Sequence, residues 1–185
     1  MGSEMCIRDR TADKITFVIK DAEGQQGYPG NAVMKVTYEV TEANELSITY
    51  HATADKTTIF NMTNHAYFNL NGAGSGSAME QILQIRASHY TPVIDAKSIP
   101  TGEIASVDGT PFDFREAKPM GRDIEQANDQ LSYGHGYDHN FVLDKERAGL
   151  EKIATAYSTK SGIKMDVITD CIGCLLYTSD AADEF

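Results

Sequence analysis

"MKVTYEVTEANELSITYHA", residues 34–52, decides the fold class of this chain. Met34, Val36, Tyr38 and Val40 alternate with Lys35, Thr37 and Glu39; after the turn-forming TEAN, Leu46, Ile48, Tyr50 and Ala52 alternate with Glu45, Ser47, Thr49 and His51. Successive side chains of a strand point to opposite faces, so a period of two with one apolar and one polar series predicts two antiparallel strands with one wet face. The signal recurs outward along the chain in KITFVIK (14–20), TTIFNM (57–62), AYFNL (66–70), QILQIRA (81–87), FVLD (141–144), EKIATAYS (151–158) and GIKMDVIT (162–169). Strands at this spacing predict an all-β fold, an antiparallel β-sandwich. One short helix is expected in EAKPMGRDIEQANDQL (116–131), confined by Pro119 and Gly121 to its later half. The Gly-rich NGAGSGSA (71–78) has no following Lys-Ser/Thr pair and is expected to be a flexible hairpin loop rather than a phosphate cradle. The stretch from Tyr90 to Gly121 alternates little and is expected to cross the surface as a long ordered connection.

Composition narrows the partners. A chain of 185 residues with 41% apolar and 23% charged content suits a single domain with a real core. Its formal net charge of -11 argues against nucleic acid or an anionic membrane as partner, because a polyanion repels such a surface; a neutral small molecule fits better. No apolar run approaches the roughly 20 residues that span a bilayer, and no charged-then-apolar signal pattern opens the chain. A soluble, cytoplasmic protein is expected, or a periplasmic one had a signal preceded this segment. Both ends stand apart: GSEMCIRDR (2–10) and CLLYTSDAADE (174–184) resemble the translation of a transposase adapter from sequencing-library preparation. Residues 1–10 and 172–185 are therefore expected to be adapter-derived scars flanking a partial domain over 11–171. Cys171 and Cys174 then span a junction and Cys6 lies in the other scar, so neither a disulfide framework nor a metal site is expected.

Two constellations carry chemistry. In TNHAYFNLNG (63–72), read as a strand, His65, Tyr67 and Asn69 share one face and Ala66, Phe68 and Leu70 the other, the core face. An imidazole beside a phenol and an amide is the mixture a sugar cleft offers; a satisfied, half-buried histidine is the structural alternative. In HGYDHNFVLD (135–144), the i, i+4 pair His135 and His139 is set between glycines that argue against a helix, and no third metal ligand adjoins it. Alternation puts Asp138 with Asn140 on one face and His139, Phe141 and Leu143 on the core side. A carboxylate and an amide on one face suit hydroxyl groups; a capped loop with a solvated Asp is the alternative.

These two motifs, with GYPGN (27–31) and IPTGEIASVDGTPFDFR (99–115), occur in the order and approximate spacing of the galactose mutarotase family, also called aldose 1-epimerases, which the segment between the scars resembles over nearly its whole length. The resemblance implies a β-sandwich with a sugar cleft on one sheet, a free aldose as small-molecule partner, and no redox cofactor or metal. It implies interconversion of α and β anomers of hexoses such as galactose and glucose by acid/base ring opening. His65, at the family's TNH histidine, would be the catalytic acid, a role that suits a group titrating near neutral pH. Asp138, at the family's GYDH aspartate, would bind substrate hydroxyls. The family's general-base glutamate falls in a later motif that the sequence does not reach, and a second histidine and an arginine that hold the sugar fall upstream of its start. The chain is therefore expected to be an inactive, aggregation-prone fragment with open sheet edges. Other classes consistent with the motifs are a non-catalytic carbohydrate-binding β-sandwich and an epimerase of phosphorylated sugars, which would need an Arg or Lys cluster where only Arg86, Arg115 and Arg122 are scattered.

Overall fold

The structure, a computed structural model, describes residues 6–177. Its backbone divides into two compact units, Met1–Ala66 and Tyr67–Phe185.

The first unit is one antiparallel sheet of β1 (Cys6–Arg10), β2 (Lys14–Asp21), β3 (Ala32–Val40) and β4 (Leu46–Ala54), in that spatial order. The apolar series predicted for residues 34–52 fall opposite one another, with Met34 across from Ala52, Val36 from Tyr50, Tyr38 from Ile48 and Val40 from Leu46. Asn44 closes the β3–β4 turn in the left-handed region at φ 58°, a conformation asparagine tolerates better than most residues. At the opposite end, GYPGN forms a brace. Gly30 sits at φ +85°, where a Cβ would lie 2.8 Å from Asp55 Oδ1, so only glycine lets the two loops meet. Asn31 then donates from its backbone N–H to Asp55 Oδ1 and from Nδ2 to Asp55 Oδ2, both at 2.7 Å. These bonds hold the Asp55 carboxyl below its ordinary pKa.

The second unit contains two antiparallel sheets among its described residues. One has the order β11 (Lys164–Thr169), β10 (Glu151–Tyr157), β5 (Ile82–Ile85), β8 (Lys118–Pro119); the other has the order β12 (Gly173–Tyr177), β9 (Asp138–Val142), β6 (His89–Thr91), β7 (Ala105–Ser106). A single apolar cluster draws Leu83, Ile85, Ile153 and Ala156 from the first of these sheets and Tyr90 and Phe141 from the second. The helix, α1 (Asp129–Tyr133), begins in the later half of the expected segment and runs two residues past its end; at its start the Asn128 side chain accepts from the N–H groups of Gln130 and Leu131. The backbone of Cys6–Arg10 and of Gly173–Tyr177, within the two end segments, lies in the edge strands β1 and β12.

Two expectations are corrected. Residues 57–70 form no strand. N–H groups at the end of this stretch find side-chain partners instead of a neighbouring strand: Ala66 donates to Asn64 Oδ1 at 2.8 Å and Leu70 to Gln81 Oε1 at 3.3 Å, as the adjoining Asn71 does to Asn69 Oδ1 at 3.0 Å. Short amides that offer such bonds compete with a sheet ladder. The face assignment fails with the strand, since Phe68 is 51% exposed while Leu70 is buried. The NGAGSGSA loop consequently joins no hairpin; Asn69 Nδ2 closes it by donating to the Gly76 carbonyl at 2.7 Å. The second correction concerns Tyr90 to Gly121. Its Val107, Phe112, Phe114 and Lys118 are buried, and the ring of Phe112 stacks on that of Tyr90 at 4.5 Å. The segment supplies the centre of the core, because two phenylalanines a residue apart can turn inward from a loop that is polar elsewhere.

Candidate functional site

His65 belongs to the first unit and is exposed. Its immediate neighbour fixes the backbone on which it stands. Asn64 Nδ2 donates to Tyr38 Oη on β3 at 3.1 Å, while Asn64 Oδ1 accepts from the N–H of Ala66. One asparagine thus bridges the loop to the sheet and pins the residue after the histidine. The asparagines of the same motif in the second unit have a similar duty: Asn69 is held by Gln81 Nε2 at 2.8 Å, and Asn71 by Ser158 Oγ at the end of β10. Asn69, expected beside His65 and Tyr67 as a sugar-facing amide, instead uses both ends of its side chain within its own loop.

Asp138 belongs to the second unit, at the start of β9. Alternation along β9 is as expected: His139, Phe141 and Leu143 are buried, and Asp138 and Asn140 are partly exposed. Thr91 lies opposite Asn140 and His89 opposite Val142 in the pairing of β6 with β9. Cross-strand partners share a face, so Asp138, Asn140, Thr91 and His89 populate the open side of this sheet. The face presents a carboxylate acceptor, an amide, a hydroxyl and an imidazole, which together can donate to and accept from sugar hydroxyls. Thr91 and His89 were not singled out in the sequence because β6 is only three residues long, too short to show a period.

His139 is a different kind of histidine. It lies edge-on to the ring of Phe112 at 4.6 Å, and burial lowers its pKa to about 4, so the ring is neutral around pH 7. Its Nε2 is 3.1 Å from Gln130 Oε1 on α1. The His135 and His139 pair forms no metal site: His135 is exposed at φ 50° whereas His139 is in the core. Among the described residues, no group of three or more metal-ligating side chains comes together. No helix among them is long and apolar enough to cross a membrane.

The basic residues considered for a phosphate are each engaged by carboxylates. Arg86 Nη1 bonds Glu151 Oε1 at 2.8 Å and Arg86 Nη2 bonds Glu146. Arg115 is clamped by Asp113 and Asp108, both of which it holds below their ordinary pKa. Arg122 and the buried Lys118 share Asp123. A hollow nearby is lined by three cations, Arg115, Lys118 and Arg122, and two carboxylates, Asp113 and Glu116, and each of its cations is already paired with Asp108, Asp113 or Asp123.

A family model described as aldose 1-epimerase matches residues 6–185. The chain belongs to the aldose 1-epimerase family. It is 38% identical over 167 residues to the aldose 1-epimerase of Escherichia coli (strain K12), covering 90% of this chain and 47% of that protein. It is 40% identical over 169 residues to the galactose mutarotase of Rattus norvegicus, covering 91% of this chain and 47% of the relative. Among solved structures, the GalM/aldose epimerase homologue from C. elegans superposes with a TM-score of 0.75 at 33% identity, covering 88% of this chain and 47% of that one. The chain thus spans about half the length of the relatives it matches, and its antiparallel β fold is that of galactose mutarotase structures over that part.

Proposed function

We propose that this chain is part of an enzyme that interconverts the α and β anomers of free hexoses such as galactose and glucose. The observation that carries the reading is the family match over residues 6–185, which takes in both the TNH histidine and the GYDH aspartate. In the proposed reaction a general base removes the proton of the C1 hydroxyl while His65 protonates the ring oxygen. The C1–O bond to the ring breaks, leaving an open-chain aldehyde. After rotation about C1–C2, the ring oxygen attacks the other face of C1, returns its proton to His65, and C1–O⁻ recovers the first proton. A group that gives and retakes a proton in one cycle works best when it titrates near ambient pH, which favours imidazole. Asp138 accepts hydrogen bonds from substrate hydroxyls on the open face of its sheet.

No residue of this chain is assigned as the base. We place it in the part of the family fold that the chain does not span, and propose that the chain by itself is inactive. The paired state of Arg86, Arg115 and Arg122 counts against a phosphorylated substrate. In a protein extended to full family length, His65→Ala should slow mutarotation of α-galactose, followed by polarimetry, by about 10²- to 10⁴-fold; full retained activity refutes the assignment. A wild-type extended protein that binds galactose saturably without catalysis would show a carbohydrate-binding module instead. The adapter origin proposed for residues 1–10 and 172–185 is tested by resequencing the source DNA outward from Thr11 and Cys171.

A further inference from the structure

Gln130 is oriented without ambiguity. Its Oε1 accepts from the N–H of Val93 at 2.8 Å and its Nε2 donates to the carbonyl of Val93 at 3.0 Å, so the amide cannot be turned over without setting like groups against each other. The atom facing His139 Nε2 is therefore an oxygen, and the imidazole must carry its proton on Nε2 to bond it. That leaves Nδ1 bare, and the N–H of Asp138 lies 3.3 Å from it.

We propose that His139 is a positioning residue for Asp138: held in the Nε2–H form by Gln130, its ring accepts the backbone N–H of Asp138 through Nδ1 and so sets where that carboxylate stands on the open face of the sheet. The inference rests on the reading that Asp138 binds sugar. Two features support it. The ring is 1% exposed and wedged against Phe112 and Tyr90, so it cannot swing away from the backbone it holds. Gln130, in turn, is placed by the Asn128 cap and by Leu131, its neighbour on α1, which is buried in the core. The order runs from cap to helix, to amide, to imidazole, to carboxylate.

The test uses the 185-residue chain labelled with ¹⁵N. Nuclear magnetic resonance at neutral pH should show His139 protonated on Nε2 alone, with a through-bond coupling between the Asp138 N–H and His139 Nδ1. The other tautomer, or no such coupling, overturns the proposal without use of a variant. Galactose is then titrated into the protein extended to full family length, as wild type, His139→Asn, His139→Leu and Asp138→Ala. The amide oxygen of Asn can take the place of Nδ1, so His139→Asn should stay within about twofold of wild type. His139→Leu should weaken binding about fivefold, the equivalent of one neutral hydrogen bond. Leu binding as tightly as wild type, or Asn as weak as Leu, overturns the positioning role. If Asp138→Ala binds galactose unchanged, or wild type does not bind it, the sugar-binding reading of Asp138 fails, while tautomer and coupling still decide whether His139 holds the Asp138 N–H.

Discussion

The sheet of the first unit and the paired sheets of the second show equally clear alternation, yet they bury their apolar series to different depths. In β3 the apolar positions are only partly covered, whereas in β9 and β10 the inward residues are almost wholly removed from solvent. Within the first unit, Val18 is the one large apolar side chain among the described residues that is buried, against a continuous cluster in the second. Period two specifies which face of a strand is apolar; how deeply that face is buried depends on what other layer covers it. Regions with the same pattern should therefore respond differently to mutation.

The largest expected effect is at Phe112, which is fully buried and touches Tyr90, Tyr137 and His139. Phe112→Ala should destabilise the second unit by about 3–5 kcal/mol, seen as a lowered urea midpoint in circular dichroism. Next is Asp123. It pairs at 2.7 Å with Lys118, whose side chain is 2% exposed and whose ammonium lies over the ring of Phe114. Asp123→Ala strands that charge and should lower stability by about 3 kcal/mol; a near-neutral effect would mean that the Pro111 carbonyl and the ring suffice to hold the lysine.

The third prediction concerns pH. Burial lowers the pKa of His139 from 6.5 to about 4, so between these values the unfolded chain binds a proton that the folded chain does not. Stability should be unaffected by this group above pH 6.5 and fall as the pH drops towards 4, by on the order of 3 kcal/mol in all. Asp123, whose pKa is lowered first by the Lys118 hydrogen bond, acts in a separate window: its contribution is complete above the ordinary value of 3.8 and is lost at lower pH. Urea midpoints at pH 7 and pH 4.5 in wild type and His139→Asn isolate the histidine; a variant with the same dependence would disprove its role.

Effects in the first sheet should be smaller. Val36→Ala, across from Tyr50, should cost about 1 kcal/mol. A loss as large as that at Phe112 would erase the contrast between the units. Lys14→Ala removes the exposed ion pair with Glu39 and should change stability by less than about 0.5 kcal/mol.

The same reasoning explains what the sequence could reveal. The hairpin register of β3 and β4, the faces of β9 and the strand β10 were legible, because each depends on a local period that one segment contains. Residues 57–70 were misread because Asn64, Asn69 and Gln81 supply hydrogen bonds that strand patterning does not weigh. The open-face position of Asp138 and the core position of His139 followed from alternation, but the Gln130 contact did not. That bond joins a helix to a strand nine positions away, and the orientation of an amide is set by partners that no periodicity encodes.

The chain contains no tryptophan and nine tyrosines. Tyr137 is wholly buried with its hydroxyl donating to the Pro111 carbonyl at 3.1 Å, and burial raises its pKa, as it does for Tyr90. In an alkaline titration these two phenols should become tyrosinate late, as the second unit opens. The late step in ultraviolet absorbance is thus an intrinsic optical reporter of that unit's integrity, one that needs no added dye and leaves the first unit silent.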